Sequence, residues 1–149
     1  MCASTDVAGL VVANLADWER LLGEGVIRPG RPDDHTWSSL EYACHVRDVY
    51  LRYDGRLTLM LDAEDPLFPN WDQDATAVDD RYDEQNPFTV VGELRDAGAT
   101  VAQRLASVDG VDWDRKGRRS DGASFTLDTI ARYMVHDTIH HVWDVTARD

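Results

Sequence analysis

A chain of 149 residues, 43% hydrophobic and with five tryptophans, is large enough to bury its own core as a single domain spanning 1–149. Its formal charge of −13, from 28 acidic and 15 basic residues, argues against nucleic acid as a partner, because phosphate binding is driven by Lys and Arg displacing counterions. No apolar run approaches the ~18 residues of a membrane span, and the opening Met1 to Asp6 lacks the basic region of a secretory signal, so the expectation is a cytoplasmic protein that does not engage membranes.

Four helical segments follow in chain order. Leu10, Val11, Leu15, Trp18, Leu21 and Leu22 recur at helical spacing and predict a first helix over Val7–Leu22, broken by Gly23, Gly25, Pro29, Gly30 and Pro32. Ser38, with Glu41 three residues later, forms a capping box for a second helix over Ser38–Asp62. On that helix Tyr42, Val49, Arg52 and Arg56 share the face of His45, a mixture of charge and apolar bulk that suits the wall of a polar pocket.

Residues 63–86 form a long acidic connection, from which Phe68 and Trp71 are expected to fold back onto the mouth of the bundle. Pro87, at the favoured first helical position, opens a third helix over Pro87–Val108 with Val90, Val91, Leu94, Val101 and Leu105 as its stripe. Residues 111–123 carry Arg115, Lys116, Arg118 and Arg119, which read either as a holder for one anionic group or as a solvated loop. Ser124 is the expected cap of a fourth helix over Phe125–Ala147.

This last helix contains His136-Asp-Thr-Ile-His140, followed at once by His141. One side of its wheel carries Leu127, Ile130, Met134 and Val145. Another carries Phe125, Thr129, Tyr133 and Trp143 beside His136 and His140. A helix apolar on most of its circumference is central in a fold, which turns the paired histidines inward. Two imidazoles at i and i+4 reach one metal ion. The competing reading is a pair of core histidines hydrogen-bonded to neighbours. Burying both costs several kcal/mol unless their nitrogens are satisfied, and a shared metal satisfies them together.

His45 is the economical third ligand, with Glu41 or Asp48 placed to orient its free N–H. Three neutral imidazoles leave positions open, as catalytic sites do. His141 is turned about 100° from His140 and reads as a supporting residue paired with Asp137 or Asp144. His35, in a Pro- and Asp-rich loop, reads as exposed. Cys2 and Cys44 make neither a zinc spacing nor a disulfide framework, and Cys44 reads as a small buried hydrophobe. The zinc-protease signature H-E-x-x-H does not match, since Asp137 stands at its second position.

Taken together, Trp37-Ser-Ser-Leu-Glu-Tyr-Ala-Cys-His45-Val-Arg-Asp48, then Asn70-Trp-Asp-Gln-Asp74, then Phe125-Thr-Leu and His136-Asp-Thr-Ile-His-His141 resemble the DinB-like superfamily over residues 35–145. The likeness is closest to the branch with mycothiol- and bacillithiol-dependent transferases and maleylpyruvate isomerases. What this resemblance implies is an all-α four-helix bundle, commonly a homodimer, holding one divalent metal, zinc or nickel, through His45, His136 and His140. The implied function is a thiol-dependent S-transferase joining a small-molecule thiol to a small electrophile. Lys116 is the sole lysine, and an Arg-rich, Lys-poor chain fits a high-GC actinobacterium, where the thiol is mycothiol. Arg52, Trp71 and Tyr133 are the expected substrate-binding residues, with Arg56 or the Arg115–Arg119 cluster as other anchors for polar parts of the thiol. No catalytic residue is assigned. The alternatives are a metal-dependent hydrolase using metal-bound water and a non-catalytic metal- or small-molecule-binding bundle.

Overall fold

The computed structural model describes residues 6–146. Cys2, the rest of the opening stretch 1–5 and Ala147 lie outside the described residues. In chain order the helices are α1 (Val7–Gly23), α2 (Ser39–Asp62), the short α3 (Gln73–Asp79), α4 (Pro87–Ala106) and α5 (Leu127–Thr146). α1 and α2 each pack against both α4 and α5, which makes the four long helices a bundle. Its core is built from the stripes that periodicity singles out, including Val11, Leu15 and Trp18 from α1 and Val90, Leu94, Val101 and Leu105 from α4. No helix of the described residues is long and apolar enough to cross a membrane.

The predicted starts of α2 and α4 hold because their caps are local. The Ser38 hydroxyl accepts from the Glu41 amide, and the Glu41 carboxylate accepts from the Ser38 amide. Asn86 caps α4 by accepting from the amides of Phe88 and Thr89, with Pro87 as first helical residue. Glu41 is buried and also forms a two-pronged ion pair with Arg31, at 2.8 and 2.7 Å. Burial alone would raise the Glu41 carboxyl; the hydrogen bonds from Arg31 and from Ser38 outweigh it and hold the pKa below its ordinary value. A depressed carboxyl contributes stability above its unfolded-state pKa, lost as pH falls through the lower folded-state value. Gln can still serve the cap but not the ion pair. Glu41→Gln is therefore expected to lower unfolding free energy by about 2 kcal/mol at pH 7. In urea titrations the gap from wild type should close below about pH 4.

Three short strands lie outside the helical expectation. β1 (Leu67–Phe68) pairs in parallel with β2 (Lys116–Arg119), and β2 pairs antiparallel with β3 (Ser124–Thr126), around a turn in which Gly122 adopts φ of 98°. Strands of two to four residues are too short to show a period of two, and Lys-Gly-Arg-Arg carries no apolar alternation. Ser124 and Phe125 thus belong to a hairpin, not to the helix. The cap of α5 is Thr126, whose hydroxyl accepts from the Thr129 amide while the Thr129 hydroxyl accepts from the Thr126 amide. Most of the basic cluster is also spoken for. Arg115 donates to the Met60 and Ala63 carbonyls at the end of α2, which has no basic residue in its own last turn. Arg118 pairs with Asp65 and Arg119 with Asp121.

A polar knot fastens three helices at the centre of the bundle. The Tyr50 hydroxyl donates to Asn14 Oδ1 at 2.6 Å, and Asn14 Nδ2 donates to the Thr138 carbonyl at 3.1 Å. The Thr138 hydroxyl donates to the Val135 carbonyl, and all three side chains are buried. Because hydrogen bonds are directional, this knot fixes which way α5 is rotated about its axis.

Candidate metal centre

With Thr138 pointing inward, Leu127, Ile130, Met134 and Val145 become the buried side of α5. Successive residues turn by about 100°, so Asp137 and His141 lie on the inward half of the helix and face α2. The partner waiting there is His45, 1% exposed and placed by the second turn of α2. One ligand atom each from His45, Asp137 and His141 lies within 4.8 Å of the others. His136 and His140 are on the outward face with Tyr133, Ile139 and Trp143; the His140 side chain is 61% exposed. The structure therefore does not bring His136 and His140 to His45. The expected spacing of four is present, shifted by one residue, as Asp137 and His141.

The geometry of these three side chains asks for a cation between them. Neither ring nitrogen of the buried His45 makes a hydrogen bond, and its Nε2 stands 3.7 Å from Asp137 Oδ2. His141 Nδ1 lies 2.9 Å from Asp144 Oδ2. A carboxylate can only accept, so Nδ1 carries the hydrogen, and in the neutral ring Nε2 keeps its lone pair. That Nε2 is 3.4 Å from Asp137 Oδ1, another acceptor. Two acceptors facing each other beside an unsatisfied imidazole are balanced by a proton or by a metal ion. A histidine fixed by a carboxylate on its far nitrogen is the usual support of a metal-ligating imidazole. The donor set, two imidazoles and one carboxylate, is also that of catalytic zinc sites with an open position. The residues fit a divalent metal.

Electrostatics follow the same pairing. Burial by itself raises the Asp137 carboxyl, but its contacts with the His141 and His45 imidazoles outweigh that and hold it well below the usual carboxylate range. Burial lowers His141, and Asp137 and Asp144 together raise it by more. Glu41 and Asp48 do not orient His45 as expected, because each is engaged elsewhere. Glu41 serves the cap and Arg31, while Asp48 takes the guanidinium of Arg47 and the hydroxyl of Tyr82.

Aromatic rings wall the centre. Trp71 folds back as anticipated and stacks on His45 with ring centroids 5.4 Å apart and planes 12° apart. Trp37 covers another side of His45 at 5.3 Å, and Tyr42 sits 5.0 Å from His141. Arg52 lies 4.6 Å over the Trp71 ring, and Tyr133 is half exposed, 6.2 Å from Phe125. Phe68 is buried and His35 exposed, both as expected. Cys44 is buried with its thiol pushed up to about 12, burial being the chief cause. It is a packing residue and supplies no nucleophile.

Asp137 and His141 were within reach of sequence reasoning. The wheel of α5 offers two apolar sides; taking Leu127, Ile130, Met134 and Val145 as the core puts Asp137 and His141 beside it. The misleading signal was aromatic bulk, since Tyr133 and Trp143 read as core and stand exposed.

Comparison with known proteins agrees with this architecture. A family model described as the DinB superfamily matches residues 16–145. Among solved structures the fold is similar to that of YfiT from Bacillus subtilis, described as "a probable metal-dependent hydrolase with an unusual four-helix bundle topology". The TM-score is 0.82 at 18% identity, covering 97% of this chain and 83% of that one, a likeness of fold alone. No curated protein matches the chain.

Proposed function

Since the chain belongs to the DinB superfamily, we propose that it is a metal-dependent enzyme of small molecules, with His45, Asp137 and His141 as the ligands of one divalent ion, zinc or nickel. The carrying observation is the buried His45 with two unsatisfied nitrogens, facing a carboxylate and an Asp144-supported imidazole. A divalent ion there supplies Lewis acidity, the property that turns a thiol or a water into a nucleophile near neutral pH.

The reaction we favour is transfer of a small thiol, mycothiol, to an electrophile. The protein residues have separate tasks in it. His45, Asp137 and His141 hold the ion, and Asp144 fixes the tautomer and orientation of His141. Trp37 and Trp71 exclude water from the His45 side, where charge interactions are stronger than in bulk solvent. The Asp137 side chain remains 37% exposed and marks the approach for substrates. Cys44 is buried and protonated, so the thiol comes from a co-substrate.

Hydrolysis is the second reading, favoured by the description given to YfiT. Zinc- and nickel-loaded protein assayed with a halonitroarene and with an activated ester, with and without added thiol, separates the two. Thiol-dependent loss of the halide is the expected outcome. Ester cleavage that needs metal but no thiol would assign the hydrolase instead. Loaded protein inert in both assays would return the bundle to a binding role.

A further inference from the structure

Next to the candidate centre three arginines stand close, and among the described residues a single carboxylate serves them. Arg56 is 7% exposed. Its guanidinium lies 4.9 Å from the ring centroid of Tyr53 and 4.8 Å from that of Phe68, and donates to the Pro69 carbonyl at 3.1 Å. Among the described residues no acid forms an ion pair with it. Arg52, one turn earlier on α2, is exposed above Trp71 and has no ion pair either. Arg119 is held at 2.9 Å by Asp121 of its own hairpin and covers Phe125. In a chain with 28 acidic residues, a buried guanidinium without one is an anomaly. An unpaired buried charge is costly, and folded proteins pair such charges almost without exception.

We propose that Arg56, with Arg52 and Arg119 at its rim, binds the anionic group, a carboxylate or a phosphate, of the small molecule that reacts at the metal centre. The guanidinium fork matches either oxyanion with two parallel hydrogen bonds. Burial holds the Arg56 guanidinium below its ordinary pKa, and the charges of Arg52 and Arg119 act in the same direction. The three repel one another, and a bound anion relieves that repulsion.

Continuity with the centre comes from α2 and from Trp71. Arg52 and Arg56 follow His45 on one face by about two and three helical turns. Trp71 touches both His45 and Arg52. Tyr53 lies under the Arg56 guanidinium, and Arg52 and Arg119 are near enough for their charges to act on Arg56. Metal donors, an aromatic wall and then arginines suit an elongated molecule with its reacting group at one end and its anion at the other. A purely structural role, tethering the Pro69 carbonyl, would need only a neutral donor. The assignment of the reacting end rests on the metal-dependent reading; the anion site itself does not.

The test is the thermal shift of the purified protein in sodium phosphate and in sodium succinate, against sodium chloride at matched ionic strength, with metal content measured on the same samples. At least one of the two oxyanions is expected to raise Tm with increasing concentration, and which one does so identifies the group. Arg52→Gln, at an exposed position, and Arg56→Lys, which keeps the charge and loses the fork, should each weaken binding by about tenfold and keep the wild-type metal content. No shift beyond chloride, or an undiminished shift in both variants, overturns the proposal. Protein that carries no metal but still shows the arginine-dependent shift would sink the metal-dependent reading and leave the anion site standing.

Discussion

Alanine at His45 or at His141 is expected to take the protein from about one tightly held divalent ion per chain to almost none, whereas alanine at His136 or His140 leaves the ion in place. His45 and His141 face Asp137 in the interior, and either substitution leaves two donors, too few to hold a metal in a catalytic site. His136 and His140 project outward from α5. Asp144→Asn keeps an acceptor for His141 Nδ1 and loses the charge behind it, so affinity should fall by about 10–100-fold without abolishing binding. Plasma mass spectrometry on untagged protein, followed by competition with a chelator, measures both effects. Loss of metal in the His136 and His140 variants with retention in the His45 variant would overturn the ligand set.

The second large effect lies in the polar knot. Asn14→Leu preserves volume but removes both hydrogen bonds that Asn14 makes, leaving the buried Tyr50 hydroxyl with only its 3.4 Å contact to the Thr138 hydroxyl and the Thr138 carbonyl with only its place in the helical ladder. Two buried hydrogen bonds lost, at roughly 1 kcal/mol each, give an expected loss of about 2 kcal/mol in unfolding free energy. The consequence reaches the site, because the knot sets the rotation of α5. Asn14→Leu should therefore also weaken metal binding, although Asn14 touches none of the three ligands. Urea denaturation with and without metal separates the two. Unchanged stability would show that the knot is not what holds α5, and a stability loss with unaltered metal affinity would show that packing alone fixes its rotation.

What the sequence determined by itself was local. The capping box at Ser38 and Glu41, the Asn86-Pro87 start and the heptad-like stripes of Val, Leu and Trp place the four long helices, because each depends on residues within a turn or two of one another. The placement of His45 on one face of α2 with Arg52 and Arg56 was legible as well, since it depends on its own helix alone. The family was legible from the order of short motifs, and the match over residues 16–145 bears it out.

The tertiary structure decided what has no local signature. α5 carries two apolar sides of similar strength, and a helical wheel cannot choose between them. Asn14 and Tyr50, 124 and 88 residues away from Thr138, bond to the side that faces inward. One step along a helix is about 100°, so this choice of side turns Asp137 and His141, and not His136 and His140, toward His45. The short strands, the Arg115 cap on α2 and the acid-free burial of Arg56 likewise arise between segments distant in the chain. Spacing along one helix states which side chains can act together; only packing against the other helices states which of them face the same space.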